Sequence, residues 1–196
     1  MLGELGAGVI ESDVLAHAEL NHPEVRDLLR QWWGDGILGP DGTVDRRKVA
    51  AIVFNDPAQR HRLEAVLHPR VAIRRADLMA EFERQPKCRM IVLDSPLLYE
   101  TDLDLICDAV IFVDARPELR RERSEKGRGM SEEELRRREK SQQPLDTKRI
   151  RADYICDNNS SLAALRAHVE RVFSQIVAEA GGTRDARQPG PMSTPD

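Results

Sequence analysis

The sequence predicts an α/β protein built on a doubly wound parallel sheet. Three observations carry this. Two apolar runs each end in an acid, Met90-Ile91-Val92-Leu93-Asp94 and Ala109-Val110-Ile111-Phe112-Val113-Asp114, the pattern of strands buried on both faces. Segments of helical periodicity alternate with them. A chain of 196 residues, 40% hydrophobic and 33% charged, has the length to bury one good core. The expected organisation is one domain over residues 1–180, with a helical region over about 20–85 and a basic flap over about 116–150. Residues 181–196, rich in Gly, Pro, Ser and Thr, read as a disordered tail.

Taken in order, Leu2 and Leu5 with Gly3, Gly6 and Gly8 read as a last helical turn and its glycine stop, followed by a short strand at Gly8-Val9-Ile10. A helical pattern after Asp13 runs through Leu15, Ala16 and Leu20. Pro23 opens the next helix, through Val25, Leu28, Leu29, Trp32 and Trp33, and Gly34-Asp35-Gly36 ends it. After a turn at Gly39–Thr43, Asp45 can cap a helix carrying Val49, Ile52, Val53 and Phe54. Asn55-Asp56-Pro57 restarts the helical run, and a long helix is expected from about Arg70 to Phe82. The two strands above follow, then an arginine-rich helical segment, a shorter strand at Tyr154-Ile155-Cys156, and a last helix. Ser160 or Ser161 can cap that helix, and Leu162, Leu165, Val169, Val172, Phe173 and Ile176 stripe it.

No stretch approaches the roughly 18 apolar residues of a membrane helix, and no signal peptide is visible. The expected location is cytoplasmic, with no membrane partner. Cys88, Cys107 and Cys156 lack metal or disulfide spacing and read as buried thiols. A formal charge of −4 gives no case for nucleic acid. Residues 116–151 nevertheless hold 13 Lys and Arg against 8 Asp and Glu. Such a run is either a solvated helix face or a flap that faces an anion.

In an open parallel sheet the ligand crevice lies beyond the carboxyl ends of the strands, where Asp13, Asp94 and Asp114 fall. Asp94, after four apolar residues, has the pattern of a carboxylate that holds Mg²⁺ directly or through water; a helix cap is the alternative. Asp13 either takes a proton from a hydroxyl nucleophile or caps the helix that follows it.

A longer string decides more. Asp94-Ser95-Pro96-Leu97-Leu98-Tyr99-Glu100 resembles the D-x-P-L-L-(aromatic)-E segment of dephospho-coenzyme A kinases. Val9-Ile10-Glu11-Ser12-Asp13-Val14-Leu15-Ala16-His17 is similar to that family's V-I-D-A-D-x-L-A-(H/R). Asp41-Gly42-Thr43-Val44-Asp45-Arg46 resembles its D-G-x-L-D-R, and Leu67-His68-Pro69 its L-H-P. Gln142-Gln143-Pro144-Leu145-Asp146-Thr147-Lys148, Arg151-Ala152-Asp153 and Asp157-Asn158-Asn159 resemble its Q-x-P-x-x-x-K, R-A-D and D-N-(N/S) stretches, in order, so the likeness spans about residues 2–175.

The resemblance implies a three-layer sheet of P-loop kinase type and transfer of the γ-phosphoryl of ATP to the ribose 3′-hydroxyl of dephospho-coenzyme A, with Mg²⁺ at Asp94. It implies that Asp13 is the general base and that Arg128, Arg138 and Lys148 belong to a lid closing over the triphosphate. His17, Asp45, Arg46, His68 and Pro69 then fall on the acceptor side, with Asp94, Pro96, Leu97, Leu98 and Glu100. Asn158 falls on the adenine side. Gly127 and Gly129 are expected to make the lid flexible, while Arg136 and Arg137 read equally as solvated surface. For His68 a helix-packing role is the alternative, and for Asn158 strand-end turn chemistry.

Two departures stand out. Glu11-Ser12 replaces Asp-Ala, and the family's first strand with its loop G-x-x-x-x-G-K-(S/T) does not occur in the sequence. That strand is the central one of a 2-3-1-4-5 sheet, so the expectation is that it lies upstream of Met1 and that residues 1–196 alone do not turn over. A noncatalytic module that binds dephospho-coenzyme A is the competing reading, and another small-molecule kinase of the same fold is a third.

Overall fold

The structure is a computed structural model and describes residues 1–185. It divides into two compact units: residues 8–95, and residues 1–7 together with those from Pro96 onward. The expected continuous sheet is replaced by two two-stranded sheets, one in each part of the chain.

In the first unit, strand β1 (Ala7–Glu11) leads directly into helix α1 (Ser12–Leu20), and β2 (Met90–Asp94) pairs with β1. Helix α2 (Pro23–Trp33) carries its proline in the first turn, where a missing N–H costs nothing, and stops at Gly34, φ 75°. Helix α3 (Arg46–Asn55) is capped as expected: the Asp45 carboxylate accepts from the Arg47 N–H at 2.9 Å. Asp56 caps α4 (Pro57–Glu83) by accepting from the N–H groups of Ala58 and Gln59.

Helix α4 corrects one expectation. It does not restart near Arg70 but runs on through Leu67-His68-Pro69 as a single helix. A proline inside a helix removes one hydrogen bond and crowds the preceding turn. Tertiary anchors on either side hold this helix together. Leu63 is buried in the core, and Arg70 bonds Glu19 Oε2 at 2.9 Å, Glu24 Oε2 at 3.0 Å and His22 Nδ1 at 2.9 Å. The core of this unit is Leu20, Val25, Leu29, Ile37, Val44, Val49 and Leu63, with the tryptophan pair packed against it. Leu29 and Val25 are the most completely enclosed.

In the second unit, β3 (Ile111–Asp114) and β4 (Tyr154–Asp157) pair in parallel, Ile111 opposite Tyr154 and Asp114 opposite Asp157. Between them run α5 (Pro117–Arg128), α6 (Glu132–Lys140) and α7 (Leu145–Arg151), the right order for a crossover between parallel strands. Gly129 ends α5 at φ 60°, whereas Gly127, expected to be a flexible point, lies inside the helix. Helix α8 (Leu162–Asp185) packs on β4 and buries Val172 and Phe173. The Ser161 hydroxyl accepts from the Ala164 N–H at its start. Residues 181–185, expected in the tail, continue this helix; residues 186–196 lie outside the described residues.

The strands are less covered than their sequence pattern predicts. No residue of β2 is fully buried, and Val113 on β3 is 57% exposed. No helix among the described residues is long and apolar enough to cross a membrane.

Candidate functional site

In residues 8–95, Asp13 lies two residues beyond β1, in the first turn of α1. It does not cap that helix: Glu11 occupies the cap position and no side chain bonds the free N–H groups there. Asp94 is the last residue of β2 and is exposed. Among the described residues, neither carboxylate is engaged in a hydrogen bond or ion pair. The described residues contain no cluster of three His, Cys, Asp or Glu that could hold a metal by itself. A single strand-end carboxylate fits a different kind of metal site, in which substrate phosphates and water supply most ligands of Mg²⁺.

His17 is exposed on α1, Arg46 is exposed at the first turn of α3, and His68 and Pro69 are exposed on α4. Asp45 caps α3 through its Oδ1. The preceding turn is rigid: Asp41 Oδ1 accepts from the Thr43 N–H and hydroxyl at 3.1 and 2.7 Å, and Gly42 sits at φ 75°. These bonds hold the Asp41 carboxyl below the usual range, the Thr43 hydroxyl first among them. Arg46 is therefore presented from a fixed turn.

In residues 96–185 a groove of about 630 Å³ opens beside the end of β3. Asp114, Arg116, Arg120, Arg136, Gln143 and Arg149 are among its lining residues. Arg116, Arg120 and Arg149 are additions to the set read from the sequence. The signal for them was Asp114 itself, a strand-end acid directly followed by the start of a basic helix.

Arg136, Arg137 and Arg138 each pair with the glutamate one turn earlier, Glu132, Glu133 and Glu134, at 2.7, 2.6 and 3.1 Å. Exposed pairs of this kind contribute only about 0.3–0.5 kcal/mol. Arg136 is 71% and Arg138 55% exposed, so a polyanion could take these side chains over. Arg128 is the last residue of α5.

The end of β4 is a tight turn. Asp157 Oδ1 accepts from the Asn159 N–H at 2.9 Å and side-chain amide at 2.7 Å, which keeps its carboxyl low. Asn159 Oδ1 accepts from the Arg116 N–H, and the Asn158 N–H donates to the Asp114 carbonyl. The turn chemistry thus belongs to Asp157 and Asn159, and the half-buried side chain of Asn158 takes no part in it.

Lys148 and Glu100 are placed unlike the other expected ligands. Both are largely buried, 9% and 18% exposed by side chain, and they pair at 2.8 Å. Pro96 and Leu97 are exposed, Leu98 is half-buried, and Tyr99 is buried beneath the guanidinium of Arg151.

Comparison with known proteins identifies the family. A family model described as dephospho-CoA kinase matches residues 1–164. The dephospho-CoA kinase of Symbiobacterium thermophilum is 38% identical over 185 residues, covering 93% of this chain and 76% of that one. The dephospho-CoA kinase of Anaeromyxobacter dehalogenans is 35% identical, covering 96% and 88%. A crystal structure from Thermus thermophilus superposes with a TM-score of 0.73 at 33% identity, over 89% of this chain and 87% of that one. The fold is shared with a dephospho-CoA kinase structure from Campylobacter jejuni, at TM-score 0.65 and 24% identity over 91% and 89%. On the family match and these identities, the chain belongs to the dephospho-CoA kinase family.

Proposed function

We propose that this chain, completed by a phosphate-gripping glycine loop, transfers the γ-phosphoryl group of ATP to the ribose 3′-hydroxyl of dephospho-coenzyme A, the last step in making coenzyme A. One observation carries this beyond the family: Asp94 ends β2 and Asp13 stands in the first helical turn after β1, its paired strand, and both carboxylates are exposed and unengaged among the described residues. A ribose hydroxyl is a poor nucleophile at neutral pH. Asp13 orients it and receives its proton, while Asp94 would hold Mg²⁺, which when bound offsets charge on the phosphate oxygens.

Arg46, His17 and His68 bind acceptor oxygens, with Pro69 and the turn at Pro96 and Leu97 shaping that side. Arg128, Arg136 and Arg138 spread the charge that develops on the transferring group, and Asn158 meets the adenine. The proposal includes a parallel strand with a phosphate-gripping glycine loop upstream of Met1. The exposure of Val113 (57%), on a strand whose sequence reads as buried on both faces, supports a further covering element.

The test is ATP-dependent phosphorylation of dephospho-coenzyme A, with the position of the new phosphate read by NMR, on residues 1–196 and on a form extended to the next upstream start. Turnover to the 3′-phosphate in the extended form alone is expected. Silence in both, with folded protein, would overturn the proposal; steady turnover by residues 1–196 would remove the upstream loop from it.

A further inference from the structure

Lys148 is the one charged residue buried among the described residues. An ammonium has three N–H donors, and the fold uses all three. They go to Glu100 Oε1 at 2.8 Å, the Pro96 carbonyl at 3.1 Å and Gln142 Oε1 at 3.2 Å. A phosphate could reach this nitrogen only by displacing one of these partners. Unpairing the half-buried Glu100 carboxylate in this way is expensive.

The partners of this pair converge on one short segment, Gln142-Gln143-Pro144, which joins α6 to α7. Glu100 Oε1 also accepts from the Gln143 N–H at 2.7 Å. Arg151 donates to Gln143 Oε1 at 3.3 Å and to Asp104 Oδ2 at 2.6 Å, its guanidinium 4.0 Å from the centre of the Tyr99 ring. Helix α6 is tied to α5 by Arg120–Glu139 at 3.2 Å and by the looser, more exposed Arg121–Glu132 at 3.6 Å. The arginine-bearing helix is therefore fastened firmly at its carboxyl end and by partly exposed ion pairs along its length.

We propose that Lys148 is a positioning residue: with Glu100 it pins the hinge Gln142–Pro144 to the turn at Pro96–Glu100, and it does not contact nucleotide. The pinned hinge sets the height at which α6 offers Arg136 and Arg138. Their role in the reaction rests on the kinase reading; the hinge contact does not.

The test uses Lys148→Met, Glu100→Gln, their combination and the conservative Lys148→Arg in the full chain. Amide hydrogen exchange at Gln143 is expected to speed up about tenfold in either single variant, with the double variant no faster than the faster single and Lys148→Arg restoring part of the protection. In the turning-over form, both single variants should lower kcat by a similar factor with non-additive effects. A Lys148→Met variant that raises KM for ATP with Gln143 protection intact, beside a silent Glu100→Gln, would overturn the proposal and make Lys148 a nucleotide ligand. If Lys148→Met does not fold, Glu100→Gln alone decides by the same exchange reading. Absence of turnover in the extended form without these substitutions would count against the kinase reading and leave the exchange result to judge the hinge.

Discussion

Gly8 in β1 lies against the ring of Phe82 near the end of α4. A methyl group at position 8 would sit 2.6 Å from Cδ1 and 2.7 Å from Cδ2, about 1 Å inside the ordinary carbon–carbon separation of about 3.5–4.0 Å. Turning the ring about its own axis cannot clear this overlap, because Cγ lies on that axis and is also in the way. The side chain must change χ1 or the strand must move. Overpacking of this size costs about 1–3 kcal/mol, offset by about 0.5–1 kcal/mol from removing a flexible glycine from a strand. Gly8→Ala should therefore lose about 1–2 kcal/mol in urea unfolding followed by circular dichroism. In a Phe82→Ala background the overlap is gone, and the same change should be neutral or slightly stabilising, a coupling of about 2 kcal/mol. Turnover should fall as well, since a displaced β1 carries Asp13 with it. A Gly8→Ala protein as stable as its parent, with a cycle closing within about 0.5 kcal/mol, would refute the reasoning.

Arg138→Ala should change stability by less than about 0.5 kcal/mol, because only an exposed pair with Glu134 is lost, yet lower kcat; steady-state kinetics beside a melting curve separates the two. Burial is the largest single influence on Glu100 and raises its carboxyl, but Lys148, the Gln143 N–H and its own N–H together hold it below the usual range. A lowered carboxyl stabilises the fold above the unfolded value and loses that contribution as pH falls through the folded one. The stability gap between the parent and Glu100→Gln, measured by urea unfolding, should thus be full at pH 7 and close on acidification below about pH 4. Burial and the neighbouring Asp157 raise the Cys156 thiol, and it is 2% exposed. In native protein it should be alkylated last, after half-buried Cys88 and Cys107, as peptide mass mapping would show.

Features fixed by neighbours in sequence were the legible ones. The Asp45 and Ser161 caps, the proline start of α2 and the glycine stop after Leu5 each depend on a few adjacent residues, and each is found where the pattern puts it. Features fixed by distant partners were not. Leu67-His68-Pro69 reads as a break because the local penalty of proline is visible, while the clasp of Arg70 on Glu19, His22 and Glu24 is not. Lys148 is assigned to the lid only through the family resemblance of the motif that carries it. That Glu100, Pro96 and Gln142 consume its three donors emerges only when segments far apart in the chain are brought together. The strands could be found from their apolar runs, but what covers them could not, and Val113 shows the difference.

The two tryptophans of the chain sit side by side at the end of α2, ring centres 5.7 Å apart and nearly perpendicular. Arg62 lies 3.8 Å over the ring of Trp32, and the Trp33 indole N–H donates to Gln59 Oε1 at 2.9 Å. Every one of these groups belongs to residues 8–95. Tryptophan fluorescence, excited at wavelengths where tyrosine does not absorb, is therefore a private signal of that unit, blind to Tyr99 and Tyr154 in the other, whereas far-ultraviolet dichroism sums over both. Superimposed melts from the two signals would mean that the halves of the chain unfold as one cooperative body; separated melts would give each half its own midpoint.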